Sequence, residues 1–120
     1  MIANMLFPRR NRDGSFSFTA QFALKSPPKG LASSIQLWLG DWVDDHESRP
    51  LTDRGFGNES SLAKEFDGVP RVIQVGHDKL ELRFVCTPDA EHWKDWFMLI
   101  AKSLVQDYDC VKKLTGCKDT

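Results

Sequence analysis

The most regular alternation of apolar and polar residues lies near the N-terminus, in the segment SFSFTAQFAL at residues 15–24. Phe16, Phe18 and Phe22 occupy even positions, whereas serine, threonine and glutamine occupy most of the odd ones. Because successive side chains of a strand point to opposite faces, this period of two predicts a half-buried antiparallel strand. The sequence KSPPKG ends the strand, since proline cannot donate to a strand ladder.

A second pair of strands is predicted between residues 72 and 86. Residues 72–75 are mostly apolar, GHDK at residues 76–79 has the composition of a turn, and LELRFVC at residues 80–86 alternates again. This order is typical of an antiparallel hairpin. Cys86 falls on the apolar face, so we expect a small buried core residue there and not a nucleophile.

The C-terminal part of the chain predicts a long amphipathic helix. Apolar residues recur at helical spacing from Trp93 to Tyr108, and the pattern extends to Leu114 if the helix continues. Thr87 and Pro88 have the types expected at the cap and first position of a helix. The lysines and glycine at residues 112–116 are typical of a helix end.

The segment LASSIQLWLGDWV at residues 31–43 fits two periods. As a helix, it gathers six apolar residues on one stripe: Leu31, Ile35, Trp38, Leu39, Trp42 and Val43. As a strand, it places Trp38 and Trp42 on one face with Gly40 between them. We favour the strand, because two serines and Gly40 have low helix propensity and the short preceding connection suits a hairpin.

Together these elements predict an α+β fold in which an antiparallel sheet of about four strands packs against one long C-terminal helix. A short helix is expected in the middle connection, with Asn58 or Ser60 as its cap and Leu62 and Phe66 directed inward. Residues 1–120 fit a single domain. Within it, residues 1–13 are predicted to form a flexible N-terminal segment, and residues 44–58 a long loop.

Composition and charge narrow the class of protein. Sixteen basic and seventeen acidic residues give a net charge of −1, so no overall field attracts nucleic acid or an anionic membrane. Arg9, Arg10 and Arg12 form a local basic cluster without interleaved aromatic residues, which argues against nucleic acid as the partner. No apolar run approaches the roughly 20 residues of a membrane span. Three cysteines without a C-x-x-C pair indicate reduced thiols, and the expected location is the cytoplasm.

The run Asp44, Asp45, His46 and Glu47 is the strongest candidate for metal or acid–base chemistry. Metal ligands must converge on one point, whereas four consecutive side chains diverge, and no second His or Cys cluster completes a site. The G-x-S-x-G pattern of a serine nucleophile is absent as well. The sequence therefore predicts no catalytic residue, no metal and no cofactor, and it favours a protein that is not an enzyme.

The two tryptophans and the acidic run suggest a binding surface. On a strand, two flat rings beside an acidic segment would form a docking slot, since aromatic residues are enriched in interface cores and acidic rims attract basic partners. The candidate binding residues are Trp38, Trp42, Asp44, Asp45, His46 and Glu47. A structural role for either ring in the core is the competing interpretation, and the slot disappears if the segment is a helix.

The favoured hypothesis is a small intracellular binding module, like immunity, antitoxin or adaptor proteins, that presents an acidic and aromatic surface to a protein partner, with a basic partner the best fit. The alternative is a small-molecule-binding domain or small enzyme with a pocket between the sheet and the C-terminal helix. An unpaired sheet edge also leaves a homo-oligomer open.

Overall fold

The computed structural model describes residues 4–5, 9–46 and 62–111. The strands are β1 (Asn4–Met5), β2 (Arg9–Arg10), β3 (Phe16–Ala23), β4 (Arg71–Val75) and β5 (Lys79–Cys86). The helices are α1 (Leu31–His46), α2 (Leu62–Glu65) and α3 (Trp93–Asp107). The predicted α+β class, with an antiparallel sheet about four strands wide and a long helix near the C-terminus, is confirmed.

Strand β3 lies in the interior of the sheet. It pairs along its whole length with β5, from Phe16 opposite Cys86 to Ala23 opposite Lys79. Strand β4 pairs with the other side of β5 and forms one edge. The short strands β1 and β2 both pair with the remaining side of β3, so residues within the first thirteen of the chain supply the second edge.

The preference for a strand over residues 31–43 is wrong, because these residues belong to α1. Leu31, Ile35 and Leu39 lie on one side of this helix and are buried in the core. The apolar stripe at helical spacing thus outweighs the low propensity of two serines and Gly40, an override that tertiary packing commonly produces. The helix also continues through His46, so the predicted loop does not begin at residue 44. Residues 47–58 of that loop lie outside the described residues.

The predicted start of the C-terminal helix is also wrong. Helix α3 begins at Trp93, and the segment from Thr87 forms a turn in which the Ala90 N–H donates to the Thr87 carbonyl at 3.1 Å. The Thr87 hydroxyl does not cap α3, because it donates instead to the Lys64 carbonyl at 2.6 Å. The helix ends at Asp107, so it does not run on to Leu114, and the predicted closing residues at 112–116 lie outside the described part of the chain.

The middle of the chain follows the predicted pattern. Helix α2 is short, and both Leu62 at its first position and Phe66 directly after its last residue are buried. The proposed caps, Asn58 and Ser60, fall among the residues that the structure does not describe. The hairpin of β4 and β5 is confirmed, and its turn begins at Gly76, whose φ of 65° is a conformation that glycine adopts without steric cost.

The core lies between the sheet and the two long helices. Alternate residues of β3 and β5 face inward, and the Phe18 and Phe84 rings stack across the strand pair at 4.6 Å between centroids. The Phe97 ring of α3 meets both of them edge-on, at 5.7 and 5.5 Å. Each such aromatic pair contributes about 0.5 to 1.5 kcal/mol beyond the burial of its area. The two long helices are therefore held on one face of the sheet, and no helix within the described ranges covers the opposite face.

A side-chain amide connects α1 to the edge of the sheet. The Gln36 Nε2 donates to the Pro70 carbonyl at 3.0 Å, and the Val72 N–H donates to the Gln36 Oε1 at 2.8 Å. The amide thus makes the two hydrogen bonds that a neighbouring strand would make at this point of β4. Because unpaired edge groups invite pairing with other chains, Gln36 both anchors α1 and closes part of this edge.

We expect Gln36→Ala to lower the free energy of unfolding by about 1 to 2 kcal/mol, because the Val72 N–H and the Pro70 carbonyl each lose a partner. Urea denaturation measures the change. The matched control is Gln106→Ala on the exposed side of α3, which should change stability by less than about 0.5 kcal/mol. Equal losses in the two variants would contradict a role for the amide at the sheet edge.

Candidate functional site

Trp38 joins the middle of α1 to the end of α3. The ring is half-buried, and its Nε1 donates to the Asp107 Oδ2 at 2.5 Å. The Tyr108 ring meets it edge-on at 6.1 Å between centroids, and the Tyr108 hydroxyl donates to the Ser34 carbonyl at 3.4 Å. Burial raises the pKa of Tyr108, and the negative charge of Asp107 raises it further. Trp38 therefore serves chiefly as a contact between two helices.

Trp42 lies one turn further along α1 and also packs inside the protein. Its ring stacks on the His46 ring at 3.8 Å with an angle of 11° between the planes. It meets the buried Trp96 of α3 edge-on at 6.2 Å. His46 is only 8% exposed, and its Nδ1 forms a hydrogen bond with the Trp42 carbonyl at 2.8 Å. These rings form an internal stack between the helices, so the predicted slot with Gly40 between two tryptophans does not exist.

The residues of the run Asp44 to Glu47 lie in different environments. Asp44 and Asp45 are exposed on α1, together with Asp41. His46 points inward, because the helical period places it on the side of Leu39 and Trp42. Glu47 lies outside the described residues. Trp38, Trp42 and His46 pack against neighbouring side chains. A binding role for these three residues, as for Asp44 and Asp45, stays a prediction.

An exposed leucine is the feature that sequence reasoning did not include in the site. Leu37 is 74% exposed, more than any other large apolar residue in the described part of the chain. It shares one side of α1 with Asp41, Asp44 and Asp45, at helical spacings of four, seven and eight residues. The signal was present in the sequence, since Leu37 alone falls off the apolar stripe of the helical pattern. We call these four residues the acidic helix face.

The carboxylates of the acidic helix face lie where the helix itself disfavours them. Asp44 and Asp45 occupy the last turn of α1, at the negative end of its macrodipole. A negative charge at this end costs roughly 0.3 to 1 kcal/mol. The dipole and the side chains therefore add to one negative potential, which surrounds an apolar side chain.

Buried polar groups gather at the beginning of α3. Glu65 is buried, and its Oε1 accepts a hydrogen bond from the His92 N–H at 2.8 Å. Burial raises the pKa of the Cys86 thiol to about 12, and the nearby Glu65 carboxylate contributes to the same shift. A thiol with so high a pKa is a poor nucleophile. The prediction that Cys86 is a buried core residue is confirmed.

Nowhere in residues 4–5, 9–46 and 62–111 do three His, Cys, Asp or Glu side chains lie close enough together to hold a metal ion. Of the helices within these ranges, none combines the length and apolar character needed to cross a bilayer.

Comparisons with protein-family models, with curated proteins and with solved structures find no match for this chain. Any functional conclusion therefore depends on the chain's own residues and their arrangement.

We expect Trp42→Ala and Leu37→Ala to separate structural from surface roles on α1. Loss of the half-buried Trp42 ring removes its contacts with His46 and Trp96, so stability should fall by about 2 to 3 kcal/mol. Leu37→Ala should change it by less than about 0.5 kcal/mol, because the side chain is exposed. Chemical denaturation of both variants provides the measurement. A stable Trp42→Ala variant would show that the fold does not depend on this ring and would favour its predicted binding role.

Cys86 should resist thiol reagents in the native state. In a Cys110→Ser/Cys117→Ser variant it is the only thiol, and at pH 8 a pKa of about 12 leaves roughly one molecule in ten thousand ionised. We expect an aromatic disulfide reagent to react only after urea is added. The control variant Cys86→Ser/Cys117→Ser retains the half-buried Cys110, which should react faster without urea. Fast native labelling of Cys86 would show that its surroundings open.

Proposed function

We propose that this protein is a non-catalytic binding module whose acidic helix face docks a basic protein partner. The observation that carries the proposal is Leu37, a large apolar side chain 74% exposed in the middle of a regular helix. Most exposed apolar residues need no explanation, but this one is bordered by Asp41, Asp44 and Asp45. An apolar centre with a charged rim is the usual anatomy of a protein interface.

The charge of this face determines which partner fits it. Three carboxylates along one side of α1 have no lysine or arginine among the neighbouring helix residues 31–46. Acidic groups at the end of the helix are unfavourable for folding, which supports a role outside the folded chain itself. A partner with lysine or arginine around an apolar pocket would neutralise the face and cover Leu37. Such complementarity acts on the association rate as well as on the affinity.

The second candidate, a small-molecule pocket between the sheet and α3, has one observation in its favour. Trp96 is fully buried, and its Nε1 finds no acceptor in the described part of the chain. A ligand with an acceptor atom would satisfy this donor. An internal water molecule would satisfy it equally, and water is the commoner partner of such groups. The binding module is therefore the better supported proposal.

The test compares capture of partner proteins from host lysate by three versions of the full-length protein: wild type, Asp41→Asn/Asp44→Asn/Asp45→Asn, and a charge-matched control. We expect the first variant to retain its partner about tenfold more weakly, at about 0.5 kcal/mol for each exposed ion pair. The control, Asp89→Asn/Glu91→Asn/Asp109→Asn, removes three exposed carboxylates elsewhere and should retain the partner like wild type.

A second comparison isolates the apolar centre. Leu37→Ala should weaken retention of the same partner, whereas Met98→Ala should not, although Met98 is also a half-exposed apolar residue, on α3. The proposal fails if all variants retain the same proteins equally, if wild type retains none, or if the retained protein has an acidic surface.

A further inference from the structure

None of the three helices that the structure describes packs on the sheet face that points away from the core, and we call it the open sheet face. The odd-numbered residues of β3, β4 and β5 lie on it, because the even-numbered residues of β3 and β5 are buried beneath the helices. Val75 and Val85 on this face are 40% and 38% exposed. Ile73, between them on the sheet, is partly exposed. Three large aliphatic side chains therefore reach solvent on a surface that is polar apart from these residues and Ala23.

Arginines are brought together on the same face by the strand register. Arg83 on β5 stands directly between Thr19 on β3 and Arg71 on β4. Arg9 on β2 stands opposite Ser17, one step further along β3 on the same face. Three guanidinium groups from three strands and two hydroxyl groups thus share one end of the open face. We call the three arginines the arginine row.

This arrangement carries positive charge that the described residues do not balance. Arg83 forms an ion pair with the Glu81 Oε1 at 3.1 Å, and the other oxygen of Glu81 accepts a hydrogen bond from Gln21 at 2.8 Å. Arg9 and Arg71 form no ion pair with any residue in the described ranges. Like charges directly opposite each other on neighbouring strands are unfavourable for the sheet. The exposed Asp67, whose N–H donates to the Val85 carbonyl, is a further carboxylate near this end.

We propose that the open sheet face is a second docking surface, which binds an acidic protein segment through the arginine row and the neighbouring Val85. The planar guanidinium group forms paired hydrogen bonds with carboxylates, so Arg71 and Arg83 side by side suit an acidic side chain. Val85, two residues from Arg83 on β5, provides an apolar contact next to these charges, whereas Val75 lies at the other end of β4, opposite Lys79. No aromatic side chain lies on this face within the described strands, so bases would find nothing on which to stack, and single-stranded nucleic acid fits less well.

This inference does not depend on the proposed role of the acidic helix face. Helix α1 packs on the inner side of the sheet, so its exposed residues and the arginine row lie on different sides of the molecule. A second copy of this chain carries an acidic surface of its own and is the nearest competing occupant. The experiment must therefore distinguish an acidic segment from nucleic acid and from self-association.

The test uses fluorescence anisotropy with a labelled peptide of alternating glutamate and valine, titrated with the full-length protein at low salt. We expect saturable binding that weakens about fivefold to tenfold in Arg71→Gln/Arg83→Gln, since two exposed ion pairs are lost. The matched control is Lys29→Gln/Lys102→Gln, which removes two exposed positive charges elsewhere and should bind like wild type. The variant Asp41→Asn/Asp44→Asn/Asp45→Asn should also bind the peptide at least as tightly as wild type.

Thermal melts first establish that each variant is folded, and all the substituted side chains are exposed. The proposal is overturned if the peptide does not bind, or if the two double variants weaken binding equally, which would indicate only nonspecific charge. It is also overturned if a single-stranded oligonucleotide of equal charge binds more tightly than the peptide. Sedimentation that shows salt-sensitive self-association, lost in both the arginine and the aspartate variants, would identify a second copy as the occupant.

Discussion

The contact on which the fold depends is the stack of Phe18 on Phe84 across the central strand pair. It fixes the register of β3 against β5, because a shift of one strand by one residue would turn one of the two rings to solvent. Helix α3 packs on this stack through Phe97, and Phe66 after α2 meets the Phe84 ring at 5.2 Å. One pair of rings therefore links the sheet, α3 and the segment after α2. These parts are far apart in the sequence, so local interactions alone would not hold them together.

Helix α1 is the second long helix on the inner face of the sheet, and its contacts differ from those of α3. Only aliphatic residues such as Ile35 and Leu39 enter the core, while Trp38 and Trp42 contact α3 along the side. The Gln36 amide then attaches the helix to the edge of β4. A helix held on two sides in this way has one remaining side that no described residue covers. The acidic helix face is a consequence of this packing, and it would not exist if the segment were a strand.

How far the sequence predicts the structure depends on whether the decisive interaction is local. The period of two in β3 and β5 is local, and it gave the strands, their faces and the buried Cys86 correctly. In α1 two periods competed, and the choice was made by contacts with residues of α3 and β4 far along the chain. The same is true of Thr87, whose type fits a helix cap but whose hydroxyl is used by the Lys64 carbonyl. The directions of the side chains depend on the same choice of period. A strand would place Trp38 and Trp42 together on one face, whereas the helix turns Leu37 outward and packs both rings against α3.

The net charge is a poor guide to the surface, because the fold and not the composition decides which charged residues lie together. A sum of −1 over the chain suggests a molecule without strong fields, and for distant partners this is correct. Charged residues act at contact through their local arrangement, since salt screens exposed charges beyond about 8 to 10 Å. The fold places Asp41, Asp44 and Asp45 along one helix and three arginines across the opposite sheet face. Positive and negative charges thus cancel in the net charge but are separated on the surface. Each charged face suits a partner of opposite charge, which the net charge alone would not suggest.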